Sequence, residues 1–348
     1  MAIYCGVDFH ARQQTITYCE TSGGEIKHHH LDHQQDDVRA FYAQFNGEVI
    51  VAFEASGYSQ WFEDLLADLG HQAWVGNARE ISRRKRSRQK NDRRDADLIF
   101  DLMIKNEFPR IFRLSKESRE ILSLLRYRHR LVKIRTMVRN SLHAIALTGG
   151  LSLKAKLLTK AGRERFNQLS LSPAHDLQRR EWLELVNQLN QRVTRVEQEL
   201  ERRAQGDQRV ALLRTHPGIG PLTSLALVHT LEPVSRFSSG RKVTAYAGME
   251  PVERSSAERQ RWGGISKAGS PLIRFLLIEA AHATIKQEAH LRCFYYRLVE
   301  RRGSQKALVA VARKLLIRAY ILLRDRIDYA QFQRRAVAVR SARILHRP

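Results

Sequence analysis

Ile3 to Phe9 reads as a β-strand, and the alternation of apolar and polar residues from Gln14 to Glu20 predicts a second. The Gly23-Gly24 turn leads into a third strand, Glu25 to Leu31, completing an antiparallel meander. A helix is predicted from about Asp36 to Phe45. Glu48 to Phe53 (EVIVAF) is a short and nearly continuous apolar run, the signature of a strand buried on both faces. Gln60 to Leu69 follows as a helix with Leu65, Leu66 and Leu69 on its apolar side, then His71 to Val75 as a strand and Arg94 to Lys105 as a helix.

Three antiparallel strands followed by alternating helices and strands is the element order of an α/β domain of the RNase H/RuvC-like type, here residues 1–110. The next stretch, 111–206, reads as basic and helical. From Pro173 its apolar positions Trp182, Leu185, Leu189, Val193, Val196 and Leu200 step by threes and fours, as in a coiled-coil seam or a long bundle helix. Packing within the chain and contact with a second copy both satisfy that spacing. The segment ends near Gly206-Asp207. A mainly α domain over 207–348 then opens on the turn Thr215-His216-Pro217-Gly218-Ile219-Gly220, carries a glycine-rich patch from Trp262 to Ser270, and closes in basic helices.

The formal net charge of +24 changes the picture most. Such an excess repels itself in a compact fold unless a polyanion offsets it, and nucleic acid is the expected partner. No apolar run approaches the roughly 18 residues of a membrane span and no signal-peptide pattern opens the chain, so a cytoplasmic protein without a membrane partner is expected. Cys5, Cys19 and Cys293 are scattered and odd in number, which argues against a disulfide framework or a zinc site.

Four carboxylates stand where this topology would gather them. Asp8 ends the first strand in GVDFH and Glu54 ends the central one in AFEASG. Asp92 and Asp95, in DRRDA, are three apart at a helix entry and so share a face. If the first and fourth strands are neighbours and the helix crosses them, the acids converge. They then require compensating cations, and hard oxygen ligands suit Mg²⁺ or Mn²⁺ for phosphodiester chemistry. Asp97 and Asp101 are lesser substitutes, and His10 beside Asp8 is a candidate supporting group. The basic run of Arg83, Arg84, Lys85, Arg86, Arg88 and Lys90 abuts this site and is expected to grip phosphates; Arg126 to Arg139 should form a helix with one core face and one phosphate face. The Pro-Gly-Ile-Gly turn resembles a helix-hairpin-helix element, in which Gly218 and Gly220 let backbone N–H groups approach phosphate. His28, His29 and His30 alternate faces on a strand, so they do not form one metal site. Ser255, Ser256 and Ser266 lie among glycines and cations, Lys267 included, where a hydroxyl could act as nucleophile or bind phosphate.

GVDFH, AFEASG, DRRDA, the PGIG turn and GGISKAGSPLIR, in this order and spacing, resemble the DEDD-type insertion-sequence transposases, a family of bridge-RNA-guided DNA recombinases. The resemblance spans almost the whole chain. It implies that Asp8, Glu54, Asp92 and Asp95 are the metal-holding acids. It further implies a serine nucleophile in a Pro-then-Ser-Gly pattern, which Pro251 and Ser256 match. Ala257 follows where the family usually has glycine, so Ser255 stays an alternative. By the same resemblance the partners are donor and target DNA, a structured non-coding guide RNA and further copies of the chain as a dimer or tetramer, with acids of one protomer meeting the serine of another, in a bacterial, nucleoid-associated setting. A hydrolytic RuvC-like junction resolvase, with water as nucleophile, is the competing expectation. A nucleic-acid-binding protein with an inactive RNase H fold is a third.

Overall fold

A computed structural model describes residues 2–20, 24–85, 92–152, 156–253 and 262–336, which form two compact units, 1–116 and 117–348. In the first unit, strands β1 (Ala2–Phe9), β2 (Gln13–Glu20), β3 (Ile26–Asp32), β4 (Glu48–Glu54) and β5 (Gln72–Gly76) form one sheet in the order β3-β2-β1-β4-β5. β1 pairs antiparallel with β2 and parallel with β4, as the meander and the buried fourth strand predict. The fold is RNase H-like.

Strand parity divides this sheet between two cores. Ile3, Cys5, Val7 and Phe9 join Val49, Val51 and Phe53 beneath helices α1 (Gln35–Ala43) and α2 (Gln60–Asp68). Ile50 and Ala52 point the other way, toward Ile81 of α3 (Ala78–Arg83) and Ile99, Leu102 and Met103 of α4 (Asp92–Ile104). EVIVAF is apolar throughout because both of its faces are covered. Helix α3, capped by the Asn77 side chain accepting from the Arg79 N–H, falls in a stretch to which the sequence pattern assigns no element. It is too short for its apolar period to show.

Glu63 of α2 is buried and held by two hydrogen bonds from Arg113 (2.9 and 2.6 Å) and one from Ser59 (3.1 Å). Arg113→Ala leaves a buried carboxylate without its cation and is expected to destabilise this unit by about 3 kcal/mol, readable as an earlier denaturant midpoint. Arg113→Lys, which keeps charge but not the bidentate fork, should recover only part of that loss.

The second unit opens with two long helices, α5 (Lys116–Thr148) and α7 (Pro173–Ala204), with α6 (Lys160–Asn167) between them in sequence. Pro173 sits at the start of α7 behind Ser172, whose hydroxyl accepts from the His175 N–H. Val186, Leu189 and Val193 pack against Leu131, Val138, Leu142 and Ile145 of α5, with Trp182, Leu185 and Val196 at the margin. The α7 seam therefore serves its own chain through Val186, Leu189 and Val193, while Trp182, Leu185 and Val196 are only partly covered. On α5, Arg126, Arg130 and Lys133 are exposed and Leu131 and Val138 buried, as the spacing predicts, but Ile134, expected on the core face, is exposed, as is Met137.

The rest is mostly helical: α8 (Gln208–Arg214), α9 (Pro221–Leu231), α10 (Gly240–Tyr246), α11 (Pro271–Gln287), α12 (Ala289–Arg302) and α13 (Ser304–Asp325). α13 is the centre, burying Val311, Leu315, Leu316 and Tyr320 among α8 to α12. The glycine-rich patch holds a two-stranded ribbon the sequence does not suggest, β6 (Pro251–Glu253) and β7 (Trp262–Ile265). Cys5, Cys19 and Cys293 are free thiols. Among the described residues no helix is long and apolar enough to cross a membrane.

Candidate active site

Asp8 and Glu54 come together because each occupies an even position on adjacent parallel strands. Val7 pairs with Phe53, so the next residue of each strand, Asp8 and Glu54, lies at the same sheet edge on the α4 side. α4 rests directly on β1 at Gly6, where an added Cβ would stand 2.4 Å from the Phe100 nitrogen and 2.7 Å from its Cα. That contact lets the first turn of α4 bring Asp92 and Asp95 to the strand ends. A lone glycine inside a strand marks such an approach, a signal present in GVDFH.

The acids are tied together through shared neighbours. His10 Nε2 lies 3.1 Å from Asp8 Oδ2 and 3.7 Å from Asp92 Oδ1. Gln13 Nε2 donates to Asp92 Oδ2 at 3.5 Å, and Lys85 Nζ donates to Asp95 Oδ2 at 2.6 Å. Burial pushes the Asp8 carboxyl above its ordinary value; His10 and Lys85 oppose the shift while Asp95 and Asp92 add to it. Burial raises Glu54 likewise, with Lys85 and His10 opposing and Asp8 and Asp95 adding. Asp8 thus feels both Asp95 and Asp92, and Glu54 feels Asp8 and Asp95, which is an electrostatic mark of their approach.

Such a cluster suits a hard divalent cation. Two half-buried carboxyls are held above their ordinary values by burial and by like charge, and an ion among them would reverse both effects. Asp8, His10 and Asp92 each offer a ligand atom, and the three atoms lie within 4.8 Å of one another. Lys85 lends a positive charge to the cluster, a role the basic run did not announce. Arg84 turns away to the Glu107 carbonyl and carboxylate, while Arg83 is exposed at the end of α3. Arg86, Arg88 and Lys90 lie outside the described residues. Beside Asp95 runs a groove of about 750 Å³ bordered by Arg84, Lys85, Arg94 and Lys105 and by Asp97 and Asp101.

The lesser acids are engaged elsewhere. Asp97 accepts from Thr17 Oγ1 at 2.7 Å and meets His28 Nδ1 at 3.4 Å, and Asp101 pairs with Lys105. The histidine strand splits as its parity predicts: His28 and His30 reach the Thr17 and Thr15 hydroxyls, while His29 stacks on Phe41.

In the second unit the PGIG turn is fixed from behind. His216 is buried, its Nδ1 donating to the Pro217 carbonyl and its Nε2 accepting from Arg318 Nη1 at 3.3 Å. Burial lowers its pKa to about 4, so the ring is neutral at physiological pH. Gly218 has φ +90° and lies so close to α11 that a Cβ would stand 2.2 Å from Thr284 Oγ1. Gly220 caps α9 and has open space above it. Gly218 thus answers to packing, whereas no neighbour lies where a Cβ on Gly220 would stand. Exposed Lys267 adopts φ +55°, its N–H bonded to the Gly248 carbonyl, and Arg274 donates to the Gly269 carbonyl at 2.6 Å. Together these bonds anchor the base of the β6–β7 ribbon. Ser266 is largely buried beside it, and Ser255 and Ser256, on the 254–261 connection between its strands, lie outside the described residues.

Comparison with known proteins agrees with both halves. The profile of the Transposase IS116/IS110/IS902 family matches residues 210–296, and the DEDD transposase profile of the same family matches 5–149. The chain belongs to the IS110/IS116/IS902 transposase family. It is 28% identical over 293 residues to a "Probable family 20 transposase" of Pseudomonas aeruginosa, spanning 80% of this chain and 84% of that protein. It is also 28% identical over 239 residues to the transposase for insertion sequence element IS1111A of Coxiella burnetii, spanning 65% and 64%. With the transposase for insertion sequence element IS1328 of Yersinia enterocolitica it shares 24% identity over 284 residues, spanning 78% and 83%. As a transposase of this family it is a DNA-cleaving enzyme, and its acidic cluster lies within the DEDD match.

Proposed function

We propose that this transposase cuts and rejoins DNA through a covalent phosphoserine at Ser256, with Asp8, Glu54, Asp92 and Asp95 holding Mg²⁺ or Mn²⁺ and a structured non-coding RNA selecting the DNA sites. The observation that carries this reading is the gathering of the acids at one edge of the RNase H-like sheet in a chain of net charge +24. A bound divalent ion would supply charge neutralisation at the scissile phosphate. The protein groups do the rest. The acids would hold that ion, and the Ser256 Oγ forms a bond to phosphorus as the bond to the 3′ oxygen breaks. The serine proton passes to solvent and the departing 3′ oxygen takes one up. No electrons are exchanged, and the phosphoserine keeps the ester energy for rejoining, so ATP is not required.

The basic residues divide by task in this reading. Arg83, Arg86, Arg88 and Lys90 hold phosphates, Lys85 adds its charge from beside Asp95, and Arg84, engaged by Glu107, joins them only by leaving that partner. Gly220, with Gly218 setting the turn, presents backbone N–H groups to a second stretch of backbone, and Lys267 holds phosphate near the serine connection. The functional division runs 1–110, 111–206 and 207–348, with the middle helices offering their basic face to nucleic acid. The working form is an oligomer in which one copy's acids serve another copy's serine.

The test is a denaturing gel of purified protein, Mg²⁺, the RNA flanking its gene and element-end DNA. A covalent protein–DNA adduct is expected with wild type, absent with Ser256→Ala and retained with Ser255→Ala. Cleavage without any adduct, unchanged by Ser256→Ala, would overturn the serine route and leave hydrolysis by water.

A further inference from the structure

Asp8 and His10 are two residues apart at the end of β1, so they share a face of the sheet. Phe9 between them turns the opposite way and stacks on Phe62 at 5.2 Å in the core, which fixes the register of both polar side chains. The His10 backbone N–H donates to the Gln13 carbonyl at 3.0 Å, closing the β1–β2 turn. Its Nε2 faces two carboxylates that come from different elements, 3.1 Å from Asp8 Oδ2 and 3.7 Å from Asp92 Oδ1.

We propose that His10 is a direct ligand of the ion held by Asp8 and Asp92, and that its nitrogen biases this site toward Mn²⁺ over Mg²⁺. The proposal rests on the metal-dependent reading above and adds to it a donor atom and a metal preference. Ligands about 2.1 Å from an octahedral ion stand about 3.0 Å apart when adjacent and about 4.2 Å when opposite. The two separations from Nε2 fall within that range, so an ion could take the place of the His10–Asp8 hydrogen bond; the three ligand atoms lie within 4.8 Å of one another before any ion draws them in. One nitrogen and two oxygens would leave the remaining positions to water or a phosphate oxygen, with Glu54 and Asp95 beside the ion. Mg²⁺ takes oxygen ligands almost exclusively, whereas an imidazole nitrogen is a good donor to first-row transition ions.

His28 provides an internal comparison. It too meets an acid of α4, Asp97, at 3.4 Å, but its Nδ1 also lies 3.2 Å from the Thr17 hydroxyl, and Asp97 accepts from that same hydroxyl. His28 faces one carboxylate oxygen that already accepts from Thr17, whereas His10 faces oxygens of two carboxylates, and Gln13 bonds the other oxygen of Asp92.

The experiment uses the full-length protein with Mn²⁺ or Mg²⁺ alone. Pulsed electron paramagnetic resonance of bound Mn²⁺ reads the nitrogen coupling of a directly bound imidazole, and titration calorimetry reads the affinities. Wild type should show that coupling, and both His10→Ala and His10→Gln should lose it. Mn²⁺ binding should weaken by about tenfold or more in these variants, with Mg²⁺ binding changed by less than about threefold. His10→Gln, with an amide at similar reach, and an unchanged circular dichroism melt guard against a folding artefact. Bound Mn²⁺ without imidazole coupling in wild type, or coupling that persists in both variants, would overturn the ligand role while leaving the acidic site intact. Asp8→Asn that binds Mn²⁺ as tightly as wild type would instead sink the metal-site reading itself.

Discussion

Asp8→Asn is expected to lower DNA cleavage by about a thousandfold or more while the protein stays folded. A loss of that size corresponds to about 4 kcal/mol of transition-state stabilisation, within what removing a metal-holding charge costs. The same substitution should not weaken the fold. Without divalent metal, burial raises the Asp8 carboxyl above its value in the unfolded chain. The folded state then holds the proton more tightly. The contribution of Asp8 to stability is therefore greatest at low pH, falls as pH rises from the unfolded value through the folded one, and is flat above that. Asparagine carries no charge to bury, so the metal-free variant should melt at the wild-type temperature or higher at neutral pH. Added Mn²⁺ should raise the melting temperature of wild type and leave Asp8→Asn nearly unmoved. Cleavage within tenfold of wild type would refute the role given to Asp8.

The second large effect falls on a residue with no functional group. Gly6→Ala places a methyl carbon 2.4 Å from the Phe100 nitrogen and 2.7 Å from its Cα and Cβ. These are mainly backbone atoms in the middle of α4, so no side-chain rotation relieves the clash. Alanine restricts the unfolded chain and gains a few tenths of a kcal/mol, but the overlap outweighs that. A destabilisation of about 3 kcal/mol is expected, about 10 °C in melting temperature for a domain of this size. Any relief by lifting α4 carries Asp92 and Asp95 away from Asp8. Mn²⁺ affinity should therefore fall by about tenfold even in protein that remains folded at low temperature. A variant that melts like wild type and binds Mn²⁺ equally would show that the helix can rise without moving the acids.

The sequence by itself determined the elements whose pattern repeats. Alternation over Gln14 to Glu20, the doubly buried EVIVAF and the threes and fours from Trp182 to Leu200 are local periodicities, and each became the expected strand or helix. It also named Asp8, Glu54, Asp92 and Asp95, because residue type and position at strand ends or a helix entry are local facts too. Tertiary structure decided what those elements meet. The α7 seam could have faced a second copy, and its spacing is the same either way; only the fold shows α5 covering it. Helix α3 and the β6–β7 ribbon were too short for any period to register. Lys85 read as one more cation in a basic run until α4 placed Asp95 at 2.6 Å from it. His10 became a ligand candidate only when a carboxylate from more than eighty residues away reached its ring. Periodicity reports which face of an element is buried, but pairing between distant residues depends on the register of the sheet and the height of a helix above it, and here a single glycine sets that height.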